Sequence, residues 1–200
     1  MVRTKKKRPY RKGARANLRA HRKDRPYRKG VGAVLFDKQG RVLVARRLDT
    51  RTAAWQLPQG GLNAGENPRR AVLRELAEEI GTSRARIIGE MRGWLAYDLP
   101  APLAARSWGG RYRGQKQKWF ALRFEGTDAD IRLDAGGHPE FDAWKWIDLE
   151  KLPARIVAFK RPLYRALVEQ FRRFAKPAKI VPARPKAKRR SCTPPRRLRR

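Results

Sequence analysis

Cysteine is almost absent from this 200-residue chain. The single one, Cys192, excludes an intrachain disulfide and a cysteine-based zinc site, and makes a reducing, intracellular setting the expectation. Histidine is nearly as scarce: His21 sits in a basic stretch and His138 in a loop, so histidine-driven chemistry is not expected. No apolar run approaches the roughly 18 residues of a membrane span, and the first residues lack the hydrophobic segment of a secretory signal. The Arg-rich start has the composition of an organelle transit peptide, but Leu18 and a few alanines make a poor apolar face. Negative charge is the scarcest commodity relative to its opposite: 18 Asp and Glu face 51 Lys and Arg, a net +33.

The positive charge falls in three zones. Residues 1–26 hold twelve Lys/Arg against one acid, Asp24, and residues 175–200 hold eleven against none, so each end carries +11 and +11 remains for residues 27–174. The aliphatic and aromatic residues concentrate in that middle, which is long enough for one domain with a sizeable core. Same-sign charge with little hydrophobicity cannot offset chain entropy, so residues 1–26 and the Pro-containing 175–200 are expected to be disordered when alone. Contact with nucleic acid is the expected use of such ends, because Lys and Arg that neutralise phosphates release counterions; solubilising ends are the alternative. The hexapeptide RPYRKG occurs at Arg8–Gly13 and again at Arg25–Gly30, and only the second copy runs into a strand-like segment.

In the middle, GVGAVLFD and VLVAR flank Lys38-Gln39-Gly40-Arg41 and predict a hairpin. A loop containing WQLP leads to Gly60-Gly61. Asn67 as N-cap, Pro68 at the first helical position and Gly81 as stop bound a helix. Strands are expected at Arg86–Ile88, Trp94–Tyr97, Gln117–Phe124 and Trp144–Ile147, with a Gly/Pro/Ser-containing insertion at Pro100–Gly114. Pro162 opens a last helix with Leu163, Leu167, Phe171 and Phe174 at core spacing, and Trp119, Trp144 and Trp146 read as strand core. Hairpin, helix, strands and helix together predict an α/β fold, a mixed sheet sandwiched by helices.

On the first helix Val72, Leu73, Leu76, Ala77 and Ile80 share one face, and Glu75, Glu78 and Glu79 share the other. Three like charges at this spacing repel by roughly 0.2–0.5 kcal/mol per pair. An unmixed acidic face is odd in so basic a chain. A hard cation removes the repulsion, since Mg²⁺ takes carboxylate oxygens and substrate phosphates together; a merely solvated acidic face is the alternative. Arg74, one turn before Glu78, is placed to orient a carboxylate.

From Gly60 the pattern is Gly, five residues, Glu66, seven residues, then Arg74-Glu75-Leu76-Ala77-Glu78-Glu79-Ile80-Gly81. This resembles the Nudix box of the Nudix hydrolases, with Thr82 where an aliphatic residue is usual. The likeness continues through Tyr27-Arg28, Ala45-Arg46-Arg47, Trp55 to Gly61, Gly114 to Phe120, Glu140 to Trp144 and Phe159-Lys160-Arg161, in the order found in bacterial RNA 5′-pyrophosphohydrolases, a branch also described as dinucleoside polyphosphate hydrolases. It covers residues 27–174 and neither end.

The resemblance implies hydrolysis of a diphosphate linkage by water, with Mg²⁺, or another divalent cation such as Mn²⁺, bridging enzyme and phosphate. It implies Glu75, Glu78, Glu79 and Glu140 as metal-binding carboxylates, Gly60 adding its carbonyl, and catalytic roles for Glu75, Glu79 and Glu140, with the general base open between Glu75 and Glu140. It implies Arg28, Arg47, Gln115 and Lys160 facing the 5′ phosphates or nearby nucleotides, and Phe159 with Arg47 sandwiching a base. Trp55 is expected to pack at the rim. The expected protein is a cytoplasmic monomer acting on RNA 5′ ends, with no membrane partner. Diadenosine polyphosphate hydrolysis and non-catalytic RNA binding on the same scaffold are the rivals.

Overall fold

The computed structural model describes residues 23–48, 54–134 and 139–177. The first RPYRKG copy, most of both basic ends, His21, His138 and Cys192 lie outside the described residues. Strand β1 (Tyr27–Phe36) leads to β2 (Val42–Arg47) through the expected turn. There Gly40 takes φ 87°, and the Asp37 carboxylate accepts from the backbone N–H groups of Gln39 and Arg41.

The hairpin is the smaller part of the pairing. β1 lies parallel to β7 (Gly114–Phe124) in continuous register from Tyr27↔Gly114 to Phe36↔Arg123, and β2 lies antiparallel to β8 (Phe141–Ile147). A parallel pair needs a long crossover, so nothing local in the sequence announces it. The short β3 (Trp55–Gln56) borders β2, β4 (Gln59–Gly61) borders β1, and β5 (Ala85–Glu90) and β6 (Leu95–Asp98) border β7, making one mixed eight-stranded sheet.

Helices cover both faces, as the α/β sandwich requires. Val31, Ala33 and Leu35 of β1 and Phe120 and Leu122 of β7 meet α1 (Pro68–Ile80) through Ala71, Val72, Leu76 and Ile80. On the other face Val34, Phe36, Trp119 and Ala121 meet α4 (Arg161–Phe171) through Leu163, Tyr164, Leu167 and Phe171. Gly32 makes room for the Trp119 indole, which a Cβ there would overlap. The α1 ends are as expected: Asn67 accepts from Arg69 N–H at 2.9 Å, and Gly81 sits at φ 70°, donating to the Ala77 carbonyl.

Three side-chain expectations change. Leu73 and Ala77 are only half-buried, whereas Glu79 is 6 % exposed, so one acidic side chain of α1 belongs to the inside. Trp119 is core, but Trp144 and Trp146 are half-buried on β8, where Trp146 donates from Nε1 to Asp128 at 3.0 Å. Phe174 falls beyond α4 in a 3-10 turn and packs on Phe36 and Phe171. The insertion folds as α2 (Ala101–Arg106) and a tight turn over Ser107–Gly110, and α3 (Leu152–Arg155) precedes α4.

Candidate active site

The site forms where β4, the loop after it and α1 meet the N-terminal end of β1. Gly60 and Gly61 pair with Val31 and Gly30, and a Cβ on Gly60 would overlap the Glu75 carboxylate, so strand backbone and carboxylate are in direct contact. Arg74 organises the next layer. Its Nε and Nη2 hold Glu66 in a fork at 2.8 Å each, Nη1 donates to Glu75 at 2.8 Å and Glu78 at 2.9 Å, and Nη2 also donates to the Gly61 carbonyl at 3.0 Å. All five guanidinium donors are thus engaged. Glu66 also accepts from Asn63 N–H, and the Arg74 guanidinium, with that N–H, pulls its carboxyl down to about 2. Arg74 therefore orients Glu66 and Glu75 as well as the expected Glu78.

Glu79 points inward and accepts from Gln59 N–H at 2.8 Å. Burial, and then the like charges of Glu140 and Glu75, push its carboxyl well above the usual range, against the pull of Gln59 and Arg47. Burial also raises Glu75, against the pull of Arg74. Glu140 is exposed and takes a long hydrogen bond of 3.3 Å from Arg47.

Two cavities meet here. A polar one of about 320 Å³ is lined by Arg28, Glu75 and Glu140 along with Gly60 and Gly61. A second, about 240 Å³, is walled by Tyr97, Phe159, Lys160 and residues of α2 and its turn. Arg47, Gln59, Trp108 and Gln115 line both. Gln115 accepts from Tyr97 Oη at 2.5 Å and from Gln117 Nε2 at 2.9 Å. Burial lowers Lys160 to about 8, with Arg47 adding to the effect and Glu79 opposing it. Phe159 serves core and cavity together, 6.0 Å from the Tyr97 ring.

Every sequence-predicted site residue except Glu78 and Arg74 lines one of the cavities or, like Glu79, lies at their junction through Gln59; Glu78 is exposed on the outer side of Arg74. Trp55 lines neither cavity and lies under Lys145, whose Nζ is 3.9 Å from the ring centroid. Sequence reading passed over Tyr97, Gln59 and Trp108. Tyr97 was absorbed into a strand, and Trp108 into an insertion that offered only composition.

Among the described residues no three carboxylates gather closely enough to make a ready-formed metal cluster. The cause is visible: Arg74 bonds Glu75 and Glu78, Glu79 is tied to Gln59, and Glu140 to Arg47. The donor set nevertheless fits a hard divalent cation. It is all oxygen, and burial with the neighbouring carboxylates raises Glu79 by more than Gln59 and Arg47 lower it.

An α/β sandwich with carboxylates and guanidinium groups around one polar cleft fits the class, a hydrolase of phosphate anhydrides. The chain belongs to the Nudix hydrolase family, since the NUDIX domain matches residues 26–167. Members of that family generally use divalent cations. The chain is 61 % identical over 155 residues to an RNA pyrophosphohydrolase of Gluconacetobacter diazotrophicus, covering 74 % of this chain and 93 % of that one. It is 58 % identical over 147 residues to an RNA pyrophosphohydrolase of Rhodospirillum rubrum, covering 74 % and 88 %. In fold it is similar to the dihydroneopterin triphosphate pyrophosphohydrolase of E. coli, with TM-score 0.57 and 22 % identity over 72 % of this chain and 99 % of that one.

Proposed function

We propose that this protein is an RNA 5′-pyrophosphohydrolase, converting 5′-triphosphate or diphosphate ends to monophosphate and so committing transcripts to decay. The observation that carries the reading is the junction of the two cavities. A cleft of carboxylates and guanidinium groups opens through Arg47, Gln59, Trp108 and Gln115 into an aromatic-walled one, which suits a phosphate chain joined to a nucleoside. The 61 % identity to an RNA pyrophosphohydrolase supports the same substrate class.

In this reading Glu75, Glu78, Glu79, Glu140 and the Gly60 carbonyl hold Mg²⁺, with Mn²⁺ as a substitute. A bound divalent cation offsets phosphate charge and lowers the pKa of its water. Glu75 or Glu140 takes the proton of the attacking water as its oxygen bonds to phosphorus and the anhydride P–O bond breaks, releasing pyrophosphate or phosphate. Arg28, Gln115 and Lys160 grip the phosphates; Arg47 and Phe159 flank the base. Arg74 keeps Glu75 and Glu78 in register. The basic ends add electrostatic contact with the RNA, and the protein works as a cytoplasmic monomer.

The test is Mg²⁺-dependent turnover of 5′-triphosphate RNA beside a diadenosine polyphosphate at equal enzyme. A tenfold preference for the dinucleotide would defeat the RNA reading. Loss of activity in Glu75→Gln and Glu140→Gln, with the acidic limb of the pH profile missing from only one, names the base.

A further inference from the structure

The turn Ser107–Gly110 carries a residue in an unusual state. Trp108 takes φ 52° and ψ 36°, the sole non-glycine at positive φ among the described residues, ahead of two glycines at φ 64° and 71°. A bulky side chain in the left-handed region is strained, and such outliers point to a function held in place by the surroundings. The surroundings are specific. Arg25 donates from Nη1 to the Gly110 carbonyl at 2.6 Å, Arg113 N–H donates to the Pro26 carbonyl at 3.1 Å, and Tyr27 Oη donates to Asp98 at 2.8 Å. Arg25 and Pro26 of the second RPYRKG copy are thus tied to the insertion, and Tyr27 to Asp98 just before it.

That stitching delivers the Trp108 indole to Arg28, whose Cζ lies 5.1 Å from the ring centroid. The guanidinium also lies against Gly61, where a Cβ would overlap Nη2. Arg28 is half-buried and has no hydrogen-bonded protein acceptor among the described residues. The contrast with Arg74, whose five donors are all used within the protein, is sharp. A guanidinium packed against an indole and a strand backbone, with no protein acceptor among the described residues, keeps N–H donors for a planar or tetrahedral anion.

We propose that Trp108 is a positioning residue for Arg28: together with the Gly61 backbone it forms a slot that holds the guanidinium flat and leaves its N–H edge for the substrate phosphates. This rests on the phosphate role given to Arg28 above. Arginine stacks well on indole, and the contact strengthens where water is excluded. The slot also explains why Trp108 lines both cavities: it is the partition between phosphate and nucleoside ends.

The experiment measures kcat and KM on 5′-triphosphate RNA, with full-length protein and saturating Mg²⁺, for Trp108→Ala, Trp108→Phe, Gly61→Ala, Arg28→Ala and the doubles with Arg28→Ala. Trp108→Ala and Gly61→Ala should each lower kcat/KM about fivefold to tenfold, the size of a stacking contact. Trp108→Phe should recover most of the Trp108→Ala loss. In the Arg28→Ala background both should cost less than twofold, because there is no guanidinium left to hold. Multiplicative losses in the doubles, or Trp108→Ala within twofold of wild type, would overturn the slot. Should Trp108→Ala misfold, Gly61→Ala, which presses directly on the Arg28 guanidinium, decides by the same cycle. Wild type inactive on triphosphate RNA would defeat the function itself, whereas an active wild type with an unimpaired Arg28→Ala would defeat the slot alone.

Discussion

Replacing Arg74 by lysine keeps the charge and removes the fork. Arg74 makes five hydrogen bonds to Glu66, Glu75, Glu78 and the Gly61 carbonyl, and lysine has three donors on one nitrogen, so at least two bonds are lost. Each is worth about 0.5–1.5 kcal/mol, and charged partners would raise that. The side chain is 30 % exposed and Glu78 56 %, so solvent screening pulls it back. A total of about 1–2 kcal/mol follows, or a fall in Tm of about 2–8 °C for a domain of this size. The acid response gives a second handle. Glu66 binds a proton less readily folded, at about 2, than at its ordinary 4.5, so its contribution is fully present above 4.5 and disappears as pH falls towards 2. Arg74→Lys shrinks the depression, so the slope of Tm against pH within that window should flatten. Calorimetry from pH 2.5 to 6 reads both. A Tm change under about 1 °C at pH 6 with an unchanged slope would refute the reasoning.

Gly60→Ala should lower kcat by about tenfold or more, since the new Cβ displaces a Glu75 carboxylate that Arg74 holds; single-turnover kinetics with wild-type rates would contradict that contact. Substrate affinity should weaken as pH rises through about 8, where buried Lys160 loses its proton, and Lys160→Arg should carry a flat KM to pH 9.5. Leu76→Ala, deep in the α1 interface, should cost about 2–5 kcal/mol in urea unfolding. A chain limited to residues 23–177 should bind RNA more weakly with a shallower salt slope; equal slopes would mean the basic ends make no phosphate contacts.

The α1 helix and its caps were legible because each signal is local: Asn67, Pro68, Gly81 and the apolar period lie within fifteen residues. That Glu75 and Glu78 stay off the packed apolar face was legible for the same reason, whereas Glu140 comes from a distant loop and was marked only by resemblance. The parallel pairing of β1 with β7 was not, since its partners lie 87 residues apart and nothing in either run encodes the crossover. Trp144 and Trp146 misled for a related reason: aromatic alternation marks a strand, while depth of burial depends on what covers it, and β8 lies at a margin beside β2. Glu79 was assigned to the acidic face by angle alone; it is internal because β4 folds over that side and offers it the Gln59 N–H. Trp108 had no readable signal, as its importance comes from an arginine 80 residues earlier.

The rival reading, an RNA-binding scaffold without catalysis, has to account for the energetics of Glu79. A carboxylate 6 % exposed, with Glu140 and Glu75 raising its proton affinity further, costs folding free energy at neutral pH, and one backbone N–H offsets only part of it. Binding RNA by electrostatics alone would gain from removing that acid, since every carboxylate in the cleft repels phosphate. A destabilised acidic pocket inside a chain of net +33 therefore argues for a cation shared between protein and phosphate. The two readings part on one variant. Glu79→Gln should raise Tm in metal-free buffer, abolish the Mg²⁺-induced increase in Tm, and stop turnover; a scaffold would show the first change without a Mg²⁺ response to lose.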